Sequence, residues 1–478
     1  MNILFCNFDE EWHSQVIGEA AYRVGADQVV VMSVSDFGLN SFVKDYQWID
    51  SKDFNKKTYN FMKNKQLPAL DADLLSGMLW CESLYYPMLD RMEVESLKKI
   101  SYHDRRQYYE NDLRCMLWIL QTYKIDLCVF STIPHINFDF ALYGLCKYLN
   151  IQTVIGYFGI TIPHRTVSTF YMSDIFDPMP HLKNFKSTQK SIEEIHLPER
   201  MEHFFAHYGR DKDQIKSFVY FSDYVKQKNN EKLKGKITLV KKKIAQRAFI
   251  TSVRKKISQY FVGKRIGKYL DRYSVNGTEG KYIYYPLHYQ PECTSLPMGG
   301  FYYDQIHVVR LLSQCLPEGV TLYVKPHPRR NLLTNESFYD QIRVLPNVKL
   351  LSAKTNTYAL IDNAMAVVSL TGTVITESLI RGIPVIMFGY HIWKYSPNVF
   401  HCVSEEDCRN ALETLCNGYT FNESALLEYM CEMDKGLVDG SLYNVLLKLF
   451  SISMEDNIKN VTDAMVSYID KVMKRIPE

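Results

Sequence analysis

Apolar residues fall in short runs that end at polar turns, and these runs alternate with stretches of helical spacing. Residues 2–8 read as a strand running into the polar turn at 7–10, 14–24 has helical spacing, and 28–34 reads as a second strand. Residues 40–120 look mostly helical. A helix over 78–91 is broken at Pro87, and another over 104–121 puts Leu113, Leu117 and Leu120 on one face. IDLCVFS (125–131) is a strong strand with a loop at 132–135. A helix follows over 138–149, then a strand over 152–157 that stops at Phe158-Gly159. Strand, polar loop, helix, strand is the rhythm of a doubly wound parallel sheet, so 1–165 is expected to be one such domain.

The rhythm breaks over 166–280 and resumes at 281. A strand over 282–285 runs into PLHYQPE (286–292), and 304–315 is helical. The run 322–324 stops at Lys325-Pro326-His327-Pro328, because two prolines cannot continue a central ladder. Arg329 and Arg330 follow. A strand over 366–368, a turn over 369–373 and a helix over 374–381 repeat the layout. Gly382 ends that helix before the strand 383–388. Helices are expected over 405–416 and 424–433, with two more after Gly440. The boundaries are therefore 1–165, a helical basic insertion over 166–280, a second doubly wound domain over 281–440, and helices over 441–478 that cross back to the first domain.

Length agrees with this division, since 478 residues exceed one core. Net charge is only +3, so the balance as a whole names no partner. Its distribution says more. From 226 to 272 there are sixteen Lys or Arg against two acids, Glu231 and Asp271, interleaved with apolar residues such as Ile237, Ile244, Phe249, Val253, Ile257, Tyr260 and Phe261. This is the pattern of one or two basic amphipathic helices. They either adhere to an anionic membrane face or pack on the protein with a solvated basic face. Nucleic acid is disfavoured, because no recognised binding module accompanies the charge. The start MNILFCNFDEEW lacks the basic start and long apolar run of a signal peptide. No apolar run is long enough to span a membrane. The eleven cysteines are scattered and fit no zinc spacing, which predicts buried free thiols and a cytoplasmic setting.

Ligands of an open parallel sheet bind beyond the carboxyl ends of its strands. The turns at 325–330 and 369–373 lie at such ends. One offers Lys325, His327 and Arg329. The other offers Ser369, Thr371, Gly372 and Thr373 at the mouth of a helix, where unpaired N–H groups favour an anion. Together they read as the phosphate-gripping half of a nucleotide site. Asp71-Ala72-Asp73 has the spacing of a metal-binding acid pair but lies in a helical context, so no metal is assigned.

PLHYQPE (286–292), DQI (304–306), VKPHP (324–328) and GTVITESLIRGIPV (372–385) resemble bacterial capsule polysaccharide synthesis proteins. The His-Pro and Ser/Thr motifs are similar to those of bacterial sialyl- and polysialyltransferases. The resemblance covers about 281–390. It implies a GT-B architecture: two Rossmann-like domains facing a cleft, the second holding the nucleotide sugar. It further implies transfer from a nucleotide donor, a CMP-sugar such as CMP-Kdo, to a saccharide or glycolipid acceptor, with no cofactor. Lys325 and His327 would offset the leaving phosphate. Ser369, Thr371 and Thr373 would bind it, and Glu377 would take the ribose hydroxyls, since a carboxylate suits a diol. His288, Gln290 and Glu292 would contact base, sugar or acceptor.

A base or nucleophile is expected from the first domain, where His135, Asp139, Glu82 and Asp9 are the candidates. His135 follows a strong strand and is the residue type most often used as a general base. Two other readings remain: another GT-B-shaped enzyme, such as a nucleotide-sugar 2-epimerase or polyol-phosphate transferase, or a non-catalytic assembly partner docking through 226–272.

Overall fold

The apolar runs become rungs of two separate sheets. The structure, a computed structural model, describes residues 1–39, 42–43, 45–162, 167–209, 247–329, 335–443 and 452–474, and side chains at 167 and 247–252 are left out. The chain divides into two units. One is Met1–Asp90, Ile100–His181 and Met433–Glu478, and the other is Arg91–Lys99 and Leu182–Glu432. The first contains β1 (Asn2–Cys6), β2 (Gln28–Ser33), β3 (Tyr46–Asp50), β4 (Leu127–Phe130), β5 (Gln152–Ile162) and β6 (Val167–Ser173). The second contains β7 (Lys281–Pro286), β8 (Val320–Lys325), β9 (Val348–Leu350), β10 (Ala366–Ser369), β11 (Val385–Met387) and β12 (Val399–His401). β13 (Val438–Asp439) returns to the first.

In the second unit the order is β12-β11-β10-β7-β8-β9 and every pairing is parallel. Its strand order reverses between β7 and β10, as in a Rossmann sheet. The first unit runs β13-β6-β5-β4-β1-β2-β3, and the five strands β1 to β5 follow the same rule, reversing between β1 and β4. Two doubly wound α/β units in one chain are the composition of the GT-B class.

The boundary expected at 165 lies later. β6 folds back antiparallel on β5, with a shift of register between Phe158 and Thr161. β5 therefore continues past Tyr157 to Ile162. At Gly159 an added Cβ would run into Thr169 Oγ1, so only glycine permits this close pairing. The 166–280 stretch is not one insertion. Residues 167–181 belong to the first unit and 182–209 to the second, while 210–246 lie outside the described residues, together with the basic positions there. The helix Arg247–Tyr273 buries Ile266 and Leu270 in the core of the second unit, beside Ile283, Leu322, Leu312 and Val368. At the other end of the chain, the helix Met454–Met473 buries Val461, Met465 and Ile469 against Ile3, Phe5 and Val16 of the first unit. Its Asp463 pairs with Arg23 at 2.6 Å.

The helix break expected at Pro87 comes two residues later: Pro87 lies within the last turn of Leu79–Met88, Leu89 caps it, and Asp90–Ser96 begins separately. Asp71 accepts the N–H of Leu74 and caps Ala72–Gly77, a structural duty for the first acid of the Asp71-Ala72-Asp73 pair.

Candidate active site

The parallel register brings the exits of β7, β8, β10 and β11 to one edge of the second sheet, and the polar turns gather there. His288, two residues past β7, reaches across the reversal in strand order. Its Nε2 accepts the N–H of Leu370 at 3.1 Å and lies 3.1 Å from Ser369 Oγ. Ser369 Oγ in turn accepts the N–H of Gly372 at 2.9 Å. An accepting Nε2 leaves the proton on Nδ1, so this imidazole is neutral and donates from its other nitrogen. Burial holds its pKa down, to about 3, and the neighbouring His327 and His391 lower it further. A Cβ at Gly372 would stand 3.1 Å from His288 Cε1, so the glycine makes room for the ring.

His327 is also kept neutral, chiefly by burial, with Arg329 and Lys325 adding to the effect. Its Nδ1 lies 3.1 Å from the Arg329 N–H and 3.4 Å from Arg329 O; with the shorter bond accepted, the ring proton is on Nε2. Its ring lies 5.6 Å from that of Tyr289. The proline-framed turn thus presents a fixed imidazole donor.

Lys325, expected to offset the leaving phosphate, has another duty as well. Its buried Nζ donates to Thr355 O at 2.7 Å and to Thr357 Oγ1 at 2.6 Å, which ties β8 to the helix Thr357–Asp362. Burial lowers its pKa and Glu377 raises it. Glu377 is itself buried, not a solvated helix residue. Burial lifts its carboxyl to about 6, against the lowering influence of Thr373, Arg381 and Lys325. Thr373 Oγ1 donates to it at 3.3 Å from the first turn of the helix Val374–Ile380.

The remaining candidates divide. Thr371 is buried, and its hydroxyl is spent on Thr294 O, so it fastens the 294–300 loop over β10. Gln290 donates to Tyr303 O and accepts from Gln305 Nε2 at 2.8 Å. Glu292 is exposed on the loop; partial burial of its carboxyl raises its pKa, while Arg329 and Arg91 oppose. Arg330 lies outside the described residues.

Two residues had been passed over. Gln305 organises the loop after β7: its Oε1 accepts the His288 N–H at 2.7 Å and its Nε2 donates to His288 O at 3.2 Å. His391 follows β11. Burial depresses it to about 4, and its buried Nδ1 has no hydrogen-bond partner among the described residues. Such an atom is costly unless something binds it. The strand-exit rule that flagged 286–292 and 325–330 would have found His391, had it been carried two residues past Gly389.

In the first unit the corresponding reversal is bridged by Asp139. Its carboxylate accepts Asn7 Nδ2 at 2.8 Å and the Ile136 N–H at 2.7 Å. It is fully enclosed, and burial raises its pKa to about 6. Both oxygens are engaged, so Asp139 positions the loop that carries His135. His135 Nδ1 lies 2.6 Å from Ile133 O; a carbonyl only accepts, so Nδ1 carries a proton, and in the neutral ring Nε2 is then the basic nitrogen. That is the tautomer a general base needs. Glu82 is not at a strand exit. It sits on the helix Leu79–Met88 and accepts the hydroxyl of Tyr86 one turn on. Asp9 accepts the Val34 N–H at 2.8 Å and ties the exits of β1 and β2.

The family model for capsule polysaccharide biosynthesis proteins matches residues 182–396. That stretch contains every motif on which the resemblance was read and all the second-unit site residues. No curated protein sequence matches the chain. Among solved structures it is similar to the β-Kdo 2,7-transferase KpsC of Thermosulfurimonas dismutans, at 12% identity, over 75% of this chain and 89% of that one, with a TM-score of 0.30. A glycosyltransferase from Rickettsia africae shares 10% identity over 99% of both chains, with a TM-score of 0.25. The UDP-GlcNAc 2-epimerase of Methanocaldococcus jannaschii shares 11% over 91% of this chain and 100% of its own, with a TM-score of 0.26. Likenesses of this size say nothing about substrate.

Proposed function

We propose that the protein is a glycosyltransferase that moves a sugar from a nucleotide donor, a CMP-sugar of the CMP-Kdo kind, onto a bacterial surface polysaccharide or its lipid-linked precursor. The observation that carries the proposal is the convergence at the reversal of the second sheet. Two neutral imidazoles, His288 and His327, interact with each other, and His288 also with His391, whose Nδ1 has no partner among the described residues. The buried Glu377 faces Lys325 and Thr373 at the same sheet end, where a Rossmann sheet binds its nucleotide. Nε2–H of His327 and Nδ1–H of His288 donate to the departing phosphate, and Glu377 accepts from the ribose diol. Lys325 supplies positive potential from behind the turn. His135 takes the proton of the acceptor hydroxyl. The scheme uses no bound metal.

The test is calorimetric titration with CMP, CDP, UDP and GDP. Saturable binding of one of them, CMP by expectation, supports the reading, and no binding of any overturns it. Conversion of a labelled donor without acceptor would replace the transferase by an epimerase.

The helix Arg247–Tyr273 adds a place of work. Ile266 and Leu270 seat its end on the second unit, but the stretch 254–264 exposes Ile257 (51%), Tyr260 (64%) and Phe261 (63%) among Arg254, Lys255, Lys256 and Lys264. A single basic solvated face would not need exposed aromatic rings. We assign this stretch to an anionic membrane surface, where each basic residue contributes about 1 kcal/mol. Vesicles containing phosphatidylglycerol should float the protein and neutral vesicles should not. Replacing Tyr260 and Phe261 by serine should cut the recovery. Equal recovery on both lipids would remove the assignment.

A further inference from the structure

A cavity of the first unit lies away from its strand exits. It has a volume of about 510 Å³ and is lined by Gly77, Trp80, Tyr143, Lys147, Tyr148, Asp174 and Phe176, all from that unit. Its place follows from the helix Phe138–Tyr148. That helix starts beside His135 and Asp139 and runs back to the amino-terminal end of β5. Lys147 is eight residues beyond Asp139, so the cavity opens ~12 Å along the helix, toward the opposite edge of the sheet.

The walls are aromatic. Trp80 makes edge contacts with Tyr143 at 6.4 Å and Phe176 at 6.0 Å between ring centroids, and stays half-buried. Tyr148 rests over Gly77, where an added Cβ would strike its ring, so the glycine is what lets the tyrosine lie there. The rim is polar and paired. Asp174 accepts from Tyr143 OH at 2.7 Å, from Lys147 Nζ at 2.5 Å and from Thr153 Oγ1 at 2.8 Å. Lys147 also donates to Thr153 Oγ1 at 2.6 Å. An ammonium has three donors and a carboxylate about four acceptor sites, so the pair retains both a donor and an acceptor after these bonds.

That combination has one good chemical match. A pyranose ring carries a face of C–H groups and a rim of hydroxyls, each of which donates and accepts at once. Aromatic walls take the first, and a donor–acceptor pair takes the second. A fatty chain would leave the Lys147–Asp174 pair desolvated without a partner. A nucleotide would bring phosphates toward a carboxylate. We propose that this cavity binds a neutral pyranose unit of a glycan chain, remote from the strand exits. It would hold a growing polysaccharide while another part of it reacts. This deepens the acceptor half of the function proposed above, and rests on that half for why a glycan is at hand.

The experiment needs no donor, so its failure is distinct from failure of nucleotide binding. Saturation-transfer NMR on the full chain would use cellotriose, maltotriose and N,N′,N″-triacetylchitotriose as probes. At least one is expected to bind saturably through its ring C–H protons. Trp80→Ala should weaken it about tenfold, the scale of one aromatic contact, while CMP titration is unchanged. Lys147→Met, at a partly exposed position, should also weaken it and decides the matter if Trp80→Ala melts early. No saturable binding of any probe, or equal binding by parent and both variants, overturns the proposal.

Discussion

His327→Ala is expected to lower kcat for sugar transfer by about 10²–10³-fold, the loss typical of one well-placed donor to a developing anion, about 2.7–4 kcal/mol. The melting temperature should barely move. His327 is half-buried in a turn, and its hydrogen bond from the Arg329 N–H at 3.1 Å is worth about 1 kcal/mol. Pro326 and Pro328 keep the turn in shape without the ring. Because the imidazole is already neutral, its role is to donate from Nε2, so His327→Gln should retain part of the activity through its amide N–H. Substrate KM should change less than kcat, since the charge appears in the transition state. Initial rates and a thermal melt on the same preparation check this. A variant with full kcat removes the imidazole from the reaction.

The contrast between His327 and Lys325 shows what the chain made legible. Both were found by one rule, a polar turn after an apolar run, and both are at the exit of β8. What the rule could not give was direction. Lys325 belongs to the strand itself and is drawn inward by Thr355 and Thr357, whose helix Thr357–Asp362 is too short to announce itself by periodicity. The parallel strands over 2–6, 127–130, 282–285 and 366–368 were legible because both faces are buried and the runs are continuously apolar. The edge strands were not. β3 (YQWID) is only partly buried, and β9 has three residues. Edge strands carry mixed residues because one side meets solvent. The first unit ends later than expected for another reason: β6 lies between β5 and β13, and its buried Ser168, Thr169 and Ser173 interrupt the apolar run that marks a strand. Asp139 was legible as a candidate but not as an enclosed one, since its hydrogen-bond partner Asn7 is 132 residues away.

Glu377→Gln separates stability from function with opposite signs. The folded carboxyl titrates at about 6, above the ordinary glutamate value of 4.5, because burial outweighs the help from Thr373, Arg381 and Lys325. The folded state therefore holds this proton more tightly than the unfolded chain. That advantage is complete below pH 4.5 and is lost as pH rises through about 6. Above this, the ionised group costs the fold about 2 kcal/mol. The amide of the variant cannot ionise, so the nucleotide-free variant should be more stable than the parent at pH 7–8 by up to about that amount. The two should converge near pH 4. Nucleotide affinity should move the other way. A carboxylate accepting from a ribose diol contributes about 1.5–3 kcal/mol, so the amide should weaken binding roughly 10–100-fold at pH 7.5. Parent affinity should itself fall as pH drops below 6, and that dependence should be missing from the variant. Denaturant melts across pH, paired with titrations of the tightest-binding nucleotide, read both effects. A variant that gains stability and binds as well as the parent places Glu377 behind the site, holding Lys325, and leaves the ribose to another group.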